Sequence, residues 1–316
     1  MVQLTNSTAT VTLNTGASIP QLGLGTWRST DEEAYNAVLH ALKSGYRHID
    51  SAAIYKNEGP VGKAIRDSGV PRDQIFVTTK LWGTQHRDPK FALELSLKRL
   101  GLDYVDLYLI HWPVAFNAEG FTTDEQFLSV PEKADGNRDL DWNQQDPEAG
   151  WNFKKTWELV QDLPATGLTR AVGVSNFSVN NLKALEAAGL KTPSVNQVEL
   201  HPLLPQDELI AYAKEKGIII EAYSPLGSQD SPLFSDEILK SIAESNGVSV
   251  AQVLINWGLK RGYVVLPKSV HTTRVEDNFK VFDLKEEDFE KVSQLVKTIG
   301  EKRLIVPNWA PFPTFE

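Results

Sequence analysis

Val105-Asp-Leu-Tyr-Leu-Ile-His111 is a short, mostly apolar run that ends on an imidazole. Such a run reads as a strand buried on both faces, the usual state of strands in a parallel sheet. The same arrangement recurs upstream. Tyr46-Arg-His-Ile-Asp50 ends on a carboxylate and Ile75-Phe-Val-Thr-Thr-Lys80 ends on an amine. Tyr55 follows Asp50 by five residues. In a parallel β/α fold, the strand C-termini form the rim where active sites are built. A carboxylate, a phenol, an amine and an imidazole on one rim point to proton transfer beside a charged cofactor.

Working outward from these runs, the punctuation is regular. Leu22-Gly-Leu-Gly25 is a strand, and Thr30-Asp-Glu-Glu33 is a capping box that opens a helix closed by Gly45. Further strands are predicted at Arg47–Asp50, Ile75–Thr79, Val105–Ile110, Ala171–Val174, Val195–Val198, Ile218–Ala222 and Val264–Leu266. Between them lie helices. One is capped by Asn57, and others span Pro89–Leu100, Phe153–Leu163, Val179–Ala188, Gln206–Lys216, Asp236–Glu244 and Val250–Lys260. Two more, near Thr273–Val281 and Glu286–Ile299, close the pattern. Val11 to Pro20 reads as a small hairpin around Asn14-Thr-Gly16. Alternation on this scale gives either a barrel or an open doubly wound sheet. Eight units without a composition break favour one closed (β/α)8 TIM barrel over residues 1–316. The stretch Val114–Gly150 has no helical period, and a rim loop of that length is usually functional.

The bulk numbers narrow the function. With 316 residues, 41% of them hydrophobic, the chain can bury a sizeable core. A net charge of −9 and a pI near 5.3 argue against nucleic acid or an anionic membrane as partner. The first ten residues lack the basic and apolar regions of a signal peptide, and no apolar stretch approaches a bilayer span. The cytoplasm is therefore the default location. Cysteine is absent, which excludes disulfides and thiolate chemistry. The six histidines are scattered with no His-x-x-x-His pair, so no metal site is expected. Gly23-Leu-Gly25 lacks the third glycine of a dinucleotide fingerprint, because Arg28 stands in its place.

Two further clusters stand out. Lys268-Ser269 with Arg274 puts two cations at a strand end and the start of the next helix, a compact anion site or else a solvated basic patch. Trp27, Trp82 and Trp112 each lie just past a strand end and, with Trp309 in the tail, read as walls of an apolar pocket. For Tyr55, an ordinary phenol pKa near about 10 is too high for efficient acid catalysis at neutral pH. The expectation is that Lys80, held by Asp50, lowers it.

These motifs resemble the aldo-keto reductases. The resemblance is carried in order by Leu22-Gly-Leu-Gly-Thr26, Gly45-Tyr-Arg-His-Ile-Asp50, Tyr55-Lys-Asn-Glu58, Thr79-Lys-Leu-Trp82 and Asp106-Leu-Tyr-Leu-Ile-His-Trp-Pro113. It continues through Val172-Gly-Val-Ser-Asn-Phe177, Asn196-Gln197, Glu221-Ala-Tyr-Ser-Pro-Leu-Gly227 and Leu266-Pro-Lys-Ser269. Thr156-Trp-Glu-Leu159 and Pro307-Asn-Trp-Ala-Pro311 are similar to a yeast-type branch with NADP-dependent glycerol dehydrogenases and ketoester reductases.

The resemblance implies NADPH as cofactor and a small-molecule carbonyl as substrate. Tyr55 would be the general acid, Lys80 and Asp50 would tune it, and His111 would orient the carbonyl. Ser175, Asn176 and Gln197 would hold the nicotinamide carboxamide, with Tyr223 stacked on the ring. Gly25, Thr26, Trp27, Ser224, Leu226 and Ser228 would also line the cofactor. Lys268, Ser269, Val270 and Arg274 would take the phosphate end, with Asn278 at the adenine. Trp27, Trp82, Trp112, Asn308 and Trp309 would wall the substrate. Asp277 replaces a frequent Glu, and Gly83 replaces the residue often found after Trp82. Three rival readings remain: a pentose reductase or polyol dehydrogenase, a non-catalytic NADPH-binding regulatory subunit, and an aldolase forming a Schiff base on Lys80.

Overall fold

The computed structural model describes residues 2–143, 145–146, 150–227 and 231–316. Eight parallel strands form one sheet in sequential order. They are β1 Leu24–Gly25, β2 His48–Asp50, β3 Phe76–Leu81, β4 Val105–Ile110, β5 Thr169–Ser175, β6 Val195–Glu199, β7 Ile219–Tyr223 and β8 Val264–Leu266. The first and last strands meet through backbone bonds. Val265 donates to the Gln21 carbonyl at 2.8 Å, and Gly23 and Gly25 donate to the carbonyls of Val265 and Pro267 at 3.0 Å. The sheet is thus closed on itself, as the alternation predicts.

Helices cover the outside of the sheet. They include α1 Asp31–Ser44, α2 Glu58–Asp67, α3 Pro89–Leu100, α4 Phe153–Val160, α5 Val179–Ala187, α6 Asp207–Lys216, α7 Glu237–Asn246, α8 Val250–Lys260 and α9 Thr272–Phe279. The Thr30 capping box forms, and Gly45 closes α1 at φ 112°, a left-handed conformation that glycine adopts without strain. Strand alternation sorts side chains to two faces. Tyr108 and Ile110 of β4 join the apolar layer under the helices, whereas Leu107 and Leu109 point into the barrel. Inside, they meet Phe76, Ala171, Val195, Val264 and Leu266. Leu13 and Ile19 of the hairpin formed by Thr10–Thr12 and Ser18–Pro20 plug this floor.

Several local expectations differ from the structure. Asn57 precedes α2 but makes no capping bond. Its amide donates instead to the carbonyls of Thr26 (2.9 Å) and Ser29 (3.2 Å), tying two rim loops together. The predicted Phe153–Leu163 helix stops at Val160 and passes into a 3-10 turn at Leu163–Thr166. The helix after β8 ends at Phe279, because Lys280–Val281 pairs antiparallel with Thr5–Asn6. The Glu286–Ile299 helix divides at Gln294. The loop after Pro113 contains one helical turn, Asp124–Phe127, closed by a Thr123 capping box. Among the described residues no helix is long and apolar enough to cross a membrane.

Candidate active site

Parallel registry places the polar strand ends at one level: Asp50 lies beside Gly25 and Thr78, Ser175 beside Gln197, and Tyr223 beside Glu199 and Leu266. The Lys80–Asp50 and Gln197–Glu221 contacts join neighbouring strands, and Gln197 to Asp50 links the two pairs across the barrel interior. The Lys80 ammonium donates to both Asp50 carboxylate oxygens (2.7 and 2.8 Å) and to the Ser51 carbonyl (2.9 Å). Lys80 is 1% exposed and Asp50 4%, so water screens this pair little. The Gln197 amide nitrogen donates to Asp50 Oδ2 (2.8 Å) and to Glu221 Oε2 (2.9 Å).

Tyr55 sits above this base, on a 3-10 turn at Ala53–Tyr55. The Lys80 ammonium lies 5.1 Å from its ring centroid. Among the described residues its hydroxyl has no hydrogen-bond partner, so it is free for an incoming oxygen. His111 stands edge-on to it at 5.6 Å between ring centroids and edge-on to Trp82 at 5.5 Å. Burial, with Lys80 nearby, holds the His111 pKa well below its usual value, so the imidazole is neutral. Its Nδ1 is enclosed without a partner.

The expectation that Lys80 lowers the Tyr55 pKa is not met in this structure. Burial pushes the phenol well above its ordinary value, and the Asp50 carboxylate pushes it further. The ammonium is turned toward Asp50 rather than toward the phenol oxygen. Tyr55 therefore stays protonated until a stronger base appears.

Beside this centre, the Ser175 hydroxyl donates to the Gln197 carbonyl (2.8 Å) and accepts from the Asn176 amide (3.0 Å). Asn176 also donates to the His111 carbonyl (2.9 Å), and Tyr223 donates to Asn176 Oδ1 (2.8 Å). With both Gln197 amide hydrogens held by carboxylates, its Oε1 remains free to accept from a carboxamide. The Thr26 hydroxyl donates to the Asp50 carbonyl (2.9 Å), fastening β1 to β2.

The phosphate end fits an anion. Lys268 and Arg274 are exposed, and among the described residues neither makes a hydrogen bond or an ion pair. Helix α9 begins at His271 without a side-chain cap, leaving its first amides open. Ser269 is buried at the same turn and accepts from the His271 amide (3.2 Å). Asn278 is buried on α9, whereas Val270 and Leu226 are half-buried. Ser228 lies outside the described residues. Among the described residues no group of three or more His, Cys, Asp or Glu is placed to hold a metal.

The apolar wall forms in part as expected. Trp82, Trp112 and Trp309 pack with Val114, Phe116 and Phe312. Trp309 meets Trp112 edge-on at 4.5 Å and Phe116 at 5.7 Å. Trp27 stands outside this cluster, 38% exposed, with the Arg28 guanidinium 4.4 Å over its ring. Asn308 is exposed, and its side chain accepts from the Ala310 amide (3.4 Å) within the tail.

Two fully buried acidic residues on β6 and β7, Glu199 and Glu221, adjoin the site without being among its predicted residues. Glu221 is the partner of Gln197 described above. Glu199 accepts from His201 (2.9 Å) and from the amides of Leu304 (2.8 Å) and Ile305 (2.9 Å), anchoring the tail that carries Trp309. Both were visible as charged residues inside or ending apolar runs. A third signal is conformational. Arg28, Lys56, Asn176 and Ser224 have positive φ, and each directly follows a residue of the site: Trp27, Tyr55, Ser175 and Tyr223. Left-handed backbone costs about 1 kcal/mol or more per non-glycine residue, and it clusters where geometry serves function.

Comparison with known proteins agrees with the barrel fold. The model of the aldo/keto reductase family matches residues 21–297. Glycerol 2-dehydrogenase (NADP(+)) of Saccharomyces cerevisiae is 59% identical, over 99% of both chains. Aldehyde reductase YPR1 of the same yeast is 57% identical, also over 99% of both. Among solved structures, the aldose reductase of Schistosoma japonicum superposes with a TM-score of 0.86 at 34% identity, covering 97% of this chain and 98% of that one. The Bombyx mori aldo-keto reductase, solved in complex with NADP, gives 0.82 at 34% identity with the same coverage. The chain belongs to the aldo/keto reductase family.

Proposed function

We propose that this chain reduces aldehydes and ketones, ketoesters among them, to alcohols with NADPH, through a single barrel domain spanning residues 1–316. The observation that carries the reading is the Tyr55 hydroxyl, unpartnered among the described residues, beside neutral His111 and above the clamped Lys80–Asp50 pair. NADPH, when bound, supplies the hydride. The residues fit it: two unpaired cations and an uncapped helix start for the 2′-phosphate, and Ser175, Asn176 and Gln197 for the carboxamide.

The substrate oxygen sits between Tyr55 and His111, the latter donating a hydrogen bond that orients the carbonyl. As the carbonyl carbon gains its hydride, the oxygen becomes an alkoxide, a stronger base than a phenolate. Tyr55 then gives up its proton to that stronger base, although burial has raised its resting pKa, and the step is easier the better its phenolate is stabilised. The phenolate left behind is stabilised by the Lys80 charge beneath its ring and recovers a proton from solvent. Trp82, Trp112 and Trp309 exclude water from the reacting carbon and favour apolar substituents.

The same groups run the reverse reaction, in which the Tyr55 phenolate accepts the alcohol proton. The yeast relative named a glycerol 2-dehydrogenase keeps that direction open. A Schiff base on Lys80 is disfavoured, because its ammonium hydrogens are engaged by Asp50 and Ser51 and the amine is not a nucleophile. We further propose a cytoplasmic location and neither nucleic acid nor membrane as partner, on the strength of the −9 net charge.

The test is NADPH oxidation against aldehydes, α- and β-ketoesters and pentoses, with Tyr55→Phe as control. Loss of the phenol should lower kcat on the order of 10²–10⁴-fold while NADPH still binds. Full turnover in Tyr55→Phe would refute the assignment.

A further inference from the structure

Two carboxyl groups and one ammonium are enclosed in the barrel at the level of the site. Asp50 takes the Lys80 charge with both oxygens. Glu221, on β7 and 0% exposed, is left with the Gln197 amide on Oε2 and no partner on Oε1. The nearest polar atom recorded for Oε1 is His48 Nε2, at 3.7 Å.

His48 Nδ1 faces the Pro20 carbonyl at 3.3 Å, and a carbonyl can only accept, so Nδ1 carries the ring proton. Nε2 therefore presents a lone pair, toward the Thr78 hydroxyl at 3.3 Å and toward Glu221. An ionised Glu221 would set its own lone pairs against that one, at a fully buried position with Asp50 close by. A carboxylic acid with its proton on Oε1 removes both conflicts.

We propose that Glu221 is a positioning residue that holds a proton at neutral pH, and that losing this proton switches off carbonyl reduction by destabilising the phenolate that Tyr55 must become. The link runs through one amide: Gln197 already serves Asp50, and a second carboxylate on it adds negative charge beneath Lys80 and Tyr55. The titratable and charged groups facing Glu221 are Asp50 and His48 from β2 and Lys80 from β3; β6 contributes the uncharged Gln197, and β8 places Val264 alongside. The direction agrees with burial and the Asp50 charge, which raise the Glu221 carboxyl to about 8, and with burial holding His48 at about 4. This inference rests on the reductase reading of the same site.

The test compares pH profiles of kcat for the wild type and Glu221→Gln, with saturating NADPH and substrate, each normalised to its own acidic plateau. The wild type should fall about tenfold per pH unit above an apparent pKa near about 8. In Glu221→Gln the limb should move up by at least about one unit, giving about tenfold more relative activity at alkaline pH. Superimposable profiles would overturn the proposal. A second measurement needs no variant: infrared titration of the wild type should show a protonated-carboxyl C=O band that disappears across the same range. Absence of that band at neutral pH, where ordinary carboxyls are ionised, would refute the held proton even if Glu221→Gln does not fold. No turnover at any pH would sink the reductase reading and the link to catalysis, while the infrared titration would still judge the proton.

Discussion

Asp50 holds Lys80 with both carboxylate oxygens, at 2.7 and 2.8 Å, and both residues are buried in the barrel. Removing either partner strands the other. Lys80→Met should cost about 3–5 kcal/mol of stability, the usual loss when a buried pair is broken from one side. It should also remove the cation beneath Tyr55, so kcat should fall more than KM rises. Urea unfolding and steady-state kinetics on the same preparation check both halves, and a variant as stable as wild type would contradict them.

The phosphate end predicts the opposite pattern. Lys268 and Arg274 are exposed and unpaired among the described residues, so replacing either with Ala should leave thermal stability almost unchanged. NADPH affinity should drop by about 1.5–3 kcal/mol for each lost charge-assisted bond, roughly tenfold to a hundredfold in Kd. NADH, which lacks the 2′-phosphate, should lose far less. Fluorescence titration with both nucleotides separates a phosphate site from a general basic patch.

Glu199 ties the tail to the barrel. Burial alone would raise its pKa, but the bonds from His201, Leu304 and Ile305 outweigh burial and hold it below the ordinary value of 4.5. A carboxylate with a depressed folded pKa stabilises the folded state above its unfolded pKa, and that contribution is lost as pH falls. The tail should therefore loosen below about pH 4.5, visible as faster proteolysis after residue 300. Glu199→Gln should loosen it at neutral pH as well. The expected readout is a rise in substrate KM of about tenfold, equivalent to one hydrogen bond to a charged group.

Gly83 has a packing reason for its place after Trp82. A Cβ there would lie 2.5 Å from Phe116 Cδ2 and 2.9 Å from the Val114 carbonyl oxygen. Gly83→Ala should cost about 1–3 kcal/mol and displace Phe116 from the wall around Trp309. Adding Phe116→Leu should recover part of the stability and alter the ranking of bulky against small carbonyls. A double-mutant cycle in thermal stability would detect the coupling.

The fold was legible because each barrel strand is a short apolar run with a turn signal beyond it; Val105–Ile110 and Val264–Leu266 were bounded to the residue. Asp50, Lys80 and His111 were legible for the same reason, as polar residues closing such runs. Less legible was anything set by contacts between distant strands. Asn57 carries a capping signature, yet the Thr26 and Ser29 carbonyls compete for its amide and win. Trp27 matched Trp82 in its position past a strand end, but only the side-chain geometry shows that it stays exposed beside Arg28. The direction of the Tyr55 pKa is set by its burial and then by the Asp50 charge, neither of which spacing reveals. Glu221 and Glu199 stand out as charges in apolar runs, but the sequence does not show that Gln197 and the tail converge on them.

The hydrogen bonds that join Gln21 and Gly23 to Val265 connect segments from nearly opposite ends of the chain. During synthesis, the first strand has β2 close at hand but must wait for almost the whole protein before it finds its second neighbour, β8. Pairing over so long a separation makes folding slow, and both sheet edges stay exposed in the interval. Lys268 and Arg274 arrive only with the closing strand and the helix after it. If, as proposed, Lys268 and Arg274 hold the cofactor phosphate, an unfinished chain lacks both cations, and the nucleotide becomes a ligand of the completed barrel that shifts folding toward it by mass action.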